Sequence, residues 1–321
     1  MTADAGVAAG RRTGSAVRLP RPTAVTPLRV DWVFTGGLIG IHLIALLAFV
    51  PYFFSWTGVL LVPLGYYVFG TLGVNLCFHR LLTHRSFAVP RRLEHVLAVI
   101  GVCAMEDTPA MWVANHRLHH QYSDQQPDPH SPLVSFLWGH LLWGAVRNNE
   151  FKRLELFNRY ARDVMRDPFY VALERYHFSR AIVFVSWCAF FLVGFLAEHL
   201  SGGTTAQATQ FGLSLLVWGV FVRTVATWHI TWSINSVTHL WGYRNYETRD
   251  SSRNNVIIGL LANGEGWHNN HHAHPSSARH GHKWWEFDVG WLTIRLMMRL
   301  GLATNVILPP PSATGARQPV A

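Results

Sequence analysis

The chain has 321 residues, of which 50% are hydrophobic, 14 are tryptophan and only 14% are charged. That balance argues against an ordinary soluble protein and points to an integral membrane protein. The net charge of +9 suits contact with anionic lipid headgroups and, given its placement along the chain, is no argument for a nucleic-acid partner.

Residues 1–31 form a basic segment with Arg11, Arg12, Arg18, Arg21 and Arg29 but no apolar run of its own. No cleaved signal peptide is expected, and the first span serves as its own insertion signal. Apolar runs follow at 32–54, 57–78, 181–199 and 211–237, each near the roughly 20 residues that cross a bilayer core. Short connectors join the first run to the second and the third to the fourth, so the spans pair as two hairpins. The alternative, buried helices of a soluble protein, is tested by charge. Of 27 Lys and Arg residues, five precede the first run, thirteen lie between Arg80 and Arg180, and eight follow His239. Neither connector holds one, which places the connectors outside and both termini with the long middle segment in the cytoplasm. Arg223 alone falls inside a run, where a cation needs a partner or a path to water.

In the middle segment, "RRLEHVLAVIGVCAMEDTPAMWVANHRLHH" and "PLVSFLWGHLLWGAV" contain apolar pieces too short to span, suited to helices at the interface. A polar, helix-like stretch runs from Asn148 to Tyr176, and "WLTIRLMMRLGL" has an amphipathic helical rhythm. Residues 301–321 read as a flexible tail. Cys77, Cys103 and Cys188 show no CxxC spacing, so neither a disulfide framework nor a thiolate metal site is indicated.

The 19 histidines are unevenly spread. "HRLLTH" supplies His79 and His84, "HRLHH" supplies His116, His119 and His120, "NSVTH" supplies Asn235 and His239, and "HNNHH" supplies His268, His271 and His272. Residues three or four apart share a helix face, so each triplet can point at one metal or at two adjacent ones. The step of five from His79 to His84 breaks an α-helical face by about 140°, and the chain is expected to leave the helix there or another element to curl around it. All of these groups fall at or beyond the cytoplasmic ends of the spans. Neutral nitrogen ligands suit Fe, Zn, Cu or Ni and argue against Mg or Ca; ligand type leaves iron and zinc both open.

Isolated histidines have a blander reading, as satisfied core or interfacial residues, and this applies to His42, His95, His140, His177, His199 and His229. His274, His280 and His282 lie off the face of the last box and are expected to be non-ligands. His130 follows Asp124 and Asp128 in "DQQPDPH", carboxylates able to accept the second N–H of a ligating imidazole. Glu106, Asp107 and Glu265 are further candidates for that supporting role.

The ordered set HxxxxH, HxxHH, NxxxH and HxxHH, with its flanks "HRLLTHRSF", "NHRLHHQYSDQQPDPH" and "GEGWHNNHHAHP", closely resembles the membrane-bound fatty acyl desaturases, in particular the stearoyl-CoA (delta-9) branch, over residues 32–300. The resemblance implies an all-α integral membrane fold: four transmembrane helices in two hairpins, with a cytoplasmic helical cap holding a histidine-rich dimetal site. It implies nine ligands, His79, His84, His116, His119, His120, His239, His268, His271 and His272, with Asn235 holding a metal through water. The implied metals are two iron ions, with O2 as co-substrate. The implied reaction places a cis double bond in a long-chain acyl group carried by CoA or by lipid. No haem domain or flavin or nicotinamide fingerprint is visible in the chain, so electrons are expected from a ferredoxin or a cytochrome b5-type protein with its reductase.

Tyr67 and Thr71 lie one α-helical turn apart, about 18 and 12 Å before His79 at the helical rise, and could close an acyl tunnel along the second span. Two other functions stay open: a di-iron hydroxylase, which the motif spacing does not separate from a desaturase, and a histidine-rich metal transporter, which would place its ligands near the bilayer midplane instead of at one side.

Overall fold

The computed structural model describes residues 18–149 and 153–311, so most of the basic segment, Arg11 and Arg12 included, and the end of the tail lie outside the described residues. Within them the chain is helical, with isolated bridges and no strand. Its α-helices are α1 (Trp32–Ala45), α2 (Trp56–Gly65), α3 (Arg91–Val102), α4 (Pro109–Tyr122), α5 (Phe136–His140), α6 (Arg153–Tyr160), α7 (Pro168–Leu173), α8 (Tyr176–Leu200), α9 (Thr205–Leu216), α10 (Arg223–Val237), α11 (Val256–Leu261), α12 (His268–Ala273) and α13 (Val289–Arg299).

Four continuous helical stretches are long and apolar enough to cross a membrane: Trp32–Phe49, Trp56–Thr83, His177–Leu200 and Thr205–Val237. Side chains that satisfy the free backbone N–H groups mark where helices start. Asp31 accepts from Val33 and Phe34 at the start of α1, Ser55 accepts from Gly58 in α2, and Thr204 with Gln207 forms a capping box on α9. α8 leaves Phe184, Val185, Leu192, Val193 and Leu196 exposed, an apolar surface that a protein in water would cover and lipid does not penalise.

The polar stretch read as one helix from Asn148 to Tyr176 is instead divided into α6 and α7. Pro168 opens α7 behind the Asp167 cap, and Asp163, between the two helices, is held by Arg85 and Arg117. The piece around "FLWGHLLWGA" also breaks, at Leu141, into α5 and a tight turn.

Two features shape the second span. Pro63 removes one backbone donor, and from Tyr66 to Thr83 the winding widens to the i→i+5 π form. Gly73 and Gly101 let this segment touch α3 backbone to backbone, since a Cβ on Gly73 would stand 2.6 Å from the Gly101 Cα. α8 and α9 meet in the same way at Gly194 and Gly212, where the added Cβ would lie 2.9 Å from the opposite Cα. Small residues allow such close helix contacts in a bilayer.

Arg223 is fully buried. Its guanidinium donates to the carbonyls of Gly219 and Cys103 and sits 4.2 Å from the Phe69 ring centre, while Gly65 leaves room for its stem. Carbonyls and an aromatic face thus take the place of a carboxylate.

Gly73→Val is expected to cost about 1–3 kcal/mol by overpacking the contact with α3. A lowered thermal midpoint in detergent, with loss of bound metal alongside, checks this.

Candidate metal centre

The widened helix resolves the five-residue step of the first box. The His84 N–H donates to the His79 carbonyl at 3.1 Å, an i→i+5 bond that brings residues five apart close to one face. Their ring centres are 4.9 Å apart. α4 carries His116, His119 and His120, α12 carries His268, His271 and His272, and His239 follows the end of α10.

These nine histidines converge as two groups whose nitrogen atoms lie within 4.8 Å of one another: His79, His84, His116, His120 and His271 in one, and His119, His239, His268 and His272 in the other. Each HxxHH triplet is split by its helical phase. On α4 the i, i+4 pair serves the first group and His119 the second; on α12 the i, i+4 pair serves the second and His271 the first.

In the first group Nε2 atoms are separated by 3.0 Å (His116 and His120), 2.9 Å (His120 and His271) and 3.1 Å (His79 and His271). In the second they are separated by 3.1 Å (His239 and His268) and 3.0 Å (His268 and His272). Two nitrogens bound about 2.1 Å from one ion are about 3.0 Å apart at a right angle and about 3.4 Å apart at the tetrahedral angle. The spacing therefore lets the nitrogens of each group share one ion.

The outer nitrogens explain why the inner ones face each other. His79 Nδ1 bonds Glu265 at 2.8 Å, His119 bonds Asp128 at 3.0 Å, His239 bonds Asp124 at 2.8 Å and His272 bonds Asp250 at 2.7 Å. Each carboxylate fixes the ring proton on Nδ1 and turns a bare Nε2 lone pair inward. Nε2 of His84 and of His119 is buried with no hydrogen-bond partner. Lone pairs aimed at one another at these distances are satisfied by a cation, so the residues fit a metal pair.

Burial holds His84, His116, His119, His120, His268 and His271 well below the usual imidazole range, with neighbouring rings adding to the effect. For His239 burial acts downward too, but the Asp124 carboxylate outweighs it and the ring is raised.

Beside the groups opens a cavity of about 1050 Å³, at the upper end of the usual range for ligand sites. His79, His116, His268 and Asn235 face it together with Met105, Met111, Trp112, Trp187, Trp228 and Trp232. Glu106 also lines the cavity, and burial pushes its carboxyl up to about 8. Tyr67 and Thr71 do not line the cavity. Tyr67 bonds Thr293 at 2.9 Å and Thr71 bonds Asn263 at 2.7 Å, both in the C-terminal part of the chain.

Several residues of the site were not singled out from sequence. Asp250 lies in a polar loop with no periodicity to mark it. Arg80, fully buried beside His79, holds Glu265 at 2.8 Å and Asp288 at 2.9 Å. His280, read as lying off the ligand face, has its Nδ1 3.1 Å from Glu265 and its ring centre 4.6 Å from that of His271. Its place next to Arg80's partners depends on a loop path that helical spacing cannot show.

A membrane protein of helices that gathers nine histidines into two groups is the class this geometry defines. The family model for fatty acid desaturases matches residues 54–295, and the chain belongs to that family, whose members place double bonds in fatty acyl chains. It is 42% identical over 283 residues to the sn-1 stearoyl-lipid 9-desaturase of Anabaena variabilis, covering 88% of this chain and 96% of that one. It is 40% identical over 271 residues to the sn-2 palmitoyl-lipid 9-desaturase of Nostoc sp., covering 84% and 88%. It is also 40% identical over 282 residues to the acyl-CoA C20 Delta5-desaturase of Anemone leveillei, covering 86% and 81%.

Asp250→Ala frees His272 Nδ1 and is expected to weaken metal binding about 10–100-fold; metal retained during chelator dialysis measures it. Acid should also act on the metal-free protein. Its buried rings stay neutral while the unfolded chain binds protons below about pH 6.5, so stability falls as pH drops through that value and is unaffected above it. Thermal midpoints at pH 7.5 and 5.5 check the sign.

Proposed function

We propose that the protein is an O2-dependent delta-9 desaturase of saturated long-chain acyl groups esterified in membrane lipid, using two iron ions held by His79, His84, His116, His120 and His271 and by His119, His239, His268 and His272. The observation that carries this reading is the pair of adjacent histidine groups opening on an apolar cavity. Asn235, facing the same cavity, would hold a metal through a water molecule. Iron accommodates imidazole in five- or six-fold surroundings, and when bound it supplies the O2-derived oxidant needed to break unactivated C–H bonds.

The chain's own residues position and shield. Trp112, Trp187, Trp228 and Trp232 wall the cavity and hold a methylene pair beside the ligands away from water. Asp124, Asp128, Asp250 and Glu265 fix ring orientation, and Arg80 anchors Glu265. Electrons come from a ferredoxin or a cytochrome b5-type protein with its reductase, docking on the cytoplasmic side. The absence of Lys and Arg from both short connectors supports an arrangement of two hairpins with a cytoplasmic cap. Acyl-lipid is favoured over acyl-CoA by the match to stearoyl-lipid and palmitoyl-lipid relatives.

Expression in a host lacking delta-9 monoenes is expected to yield a new cis monoene, located at carbon nine by mass spectrometry and lost in His120→Ala. Labelled stearate supplied as glycerolipid should be converted, and as CoA ester should not. Hydroxy acids without a monoene would overturn the reading.

A further inference from the structure

Away from the nine histidines, the structure gathers a second set that the sequence shows as isolated residues. His42 on α1, His229 on α10 and His140 at the end of α5 form one hydrogen-bonded row. His42 Nδ1 meets the Leu38 carbonyl at 2.8 Å, and His42 Nε2 meets His229 Nε2 at 3.2 Å. His229 Nδ1 meets His140 Nε2 at 3.0 Å, and His140 Nδ1 meets the Ser236 hydroxyl at 2.9 Å. The recorded surroundings are aromatic: Trp228 beside His42, Trp232 beside His140 and His229, and Phe136 stacked on His140. No Asp, Glu, Lys or Arg is among the hydrogen-bond partners of the three rings. His42 and His229 lie inside apolar helices, where ionisable residues are costly and mark a function.

Counting protons shows what the row can do. It has four hydrogen bonds, from Leu38 through the rings to Ser236, and each needs a proton. Three neutral imidazoles supply one each. The fourth comes either from the Ser236 hydroxyl or from an added proton. In the first state Ser236 donates to His140 Nδ1. In the second His140 Nδ1 donates, and the Ser236 hydroxyl turns to the Trp232 carbonyl, 2.9 Å away. One set of heavy-atom positions thus satisfies the row with and without one extra proton. Burial keeps His140 below the usual imidazole value, so the extra proton is easily given up.

The reaction has a use for it. As one CH2–CH2 unit becomes CH=CH, one O2, two electrons from the external donor and two protons from solvent become two waters. The ligand histidines bonded to carboxylates cannot carry these protons, because their Nδ1 protons are committed and their Nε2 atoms face the metals. Ser236 follows Asn235, which lines the cavity, and Trp228 and Trp232, against which the row rests, line it too.

We infer that His42, His229 and His140 form a proton store that takes up one of these protons and releases it at Ser236, next to Asn235 of the cavity wall. The inference rests on the desaturase reading for its consumer, and its test has a readout that does not depend on activity. Histidine protonation is followed by 15N NMR across pH in the full chain reconstituted in phosphatidylcholine vesicles. Wild type should show a one-proton step shared by three rings, absent in His229→Phe. Ser236→Ala removes the donor of the neutral row but also the acceptor of the protonated row, whose charge-assisted bond is the stronger, and should move the step down by about 1 pH unit.

With metal loaded and electrons supplied, His229→Phe should retain its metal but turn over about tenfold more slowly and consume more O2 per double bond. A step that is missing in wild type, or unmoved in Ser236→Ala, overturns the store. Unchanged turnover and O2 coupling in His229→Phe overturn its link to the reaction. A wild-type chain that shows the step but makes no double bond overturns the desaturase reading and that link with it, while the store itself stands.

Discussion

Four carboxylates on the outer nitrogens of four imidazoles form the constraint on which the centre rests. Without Asp124, Asp128, Asp250 and Glu265, the rings of His239, His119, His272 and His79 could put a proton on either nitrogen and hydrogen-bond among themselves. With them, bare lone pairs converge in a buried space, an arrangement that is costly unless cations fill it. Glu265 is in turn fixed by Arg80, and Arg80 by Asp288, which also caps α13. The folding of the C-terminal part is thereby tied to the geometry of the centre. Gly264 shows how tight this is: its φ is +112°, and a Cβ there would lie 2.3 Å from the Asp288 carboxylate.

The second requirement is placement. A regular α-helix would turn His84 away from His79, and the wider winding of Tyr66–Thr83 removes that conflict. Tyr67 and Thr71, on the same segment, bond Thr293 and Asn263 and do not line the cavity. The cavity is walled by α4, α8 and α10, with Asn75 and His79 of the second span also facing it.

Much of this was legible in the sequence because it is periodic. Apolar runs gave the helices long enough to cross a membrane, with ends that differ by a few residues from the observed ones. Triplet spacing indicated that His116, His119 and His120, and likewise His268, His271 and His272, could share one or two centres. Asp124 and Asp128 could be suspected because they flank a box. Asp250, Arg80 and Asp288 could not be found this way, since what matters about them is a contact across the fold between loops without a repeat. The π winding was hidden for a related reason: an α-helical wheel turns His84 away from His79, beside which it lies. The row of His42, His229 and His140 was likewise invisible, as its members come from three separate helices and each alone looks like an ordinary buried histidine.

The central claim is that each of the two histidine groups would hold an iron ion. Counting iron per polypeptide in protein purified in lipid and free of added metal tests it most directly. The account predicts two iron atoms per chain; one iron or none, or two zinc ions in their place, would contradict it.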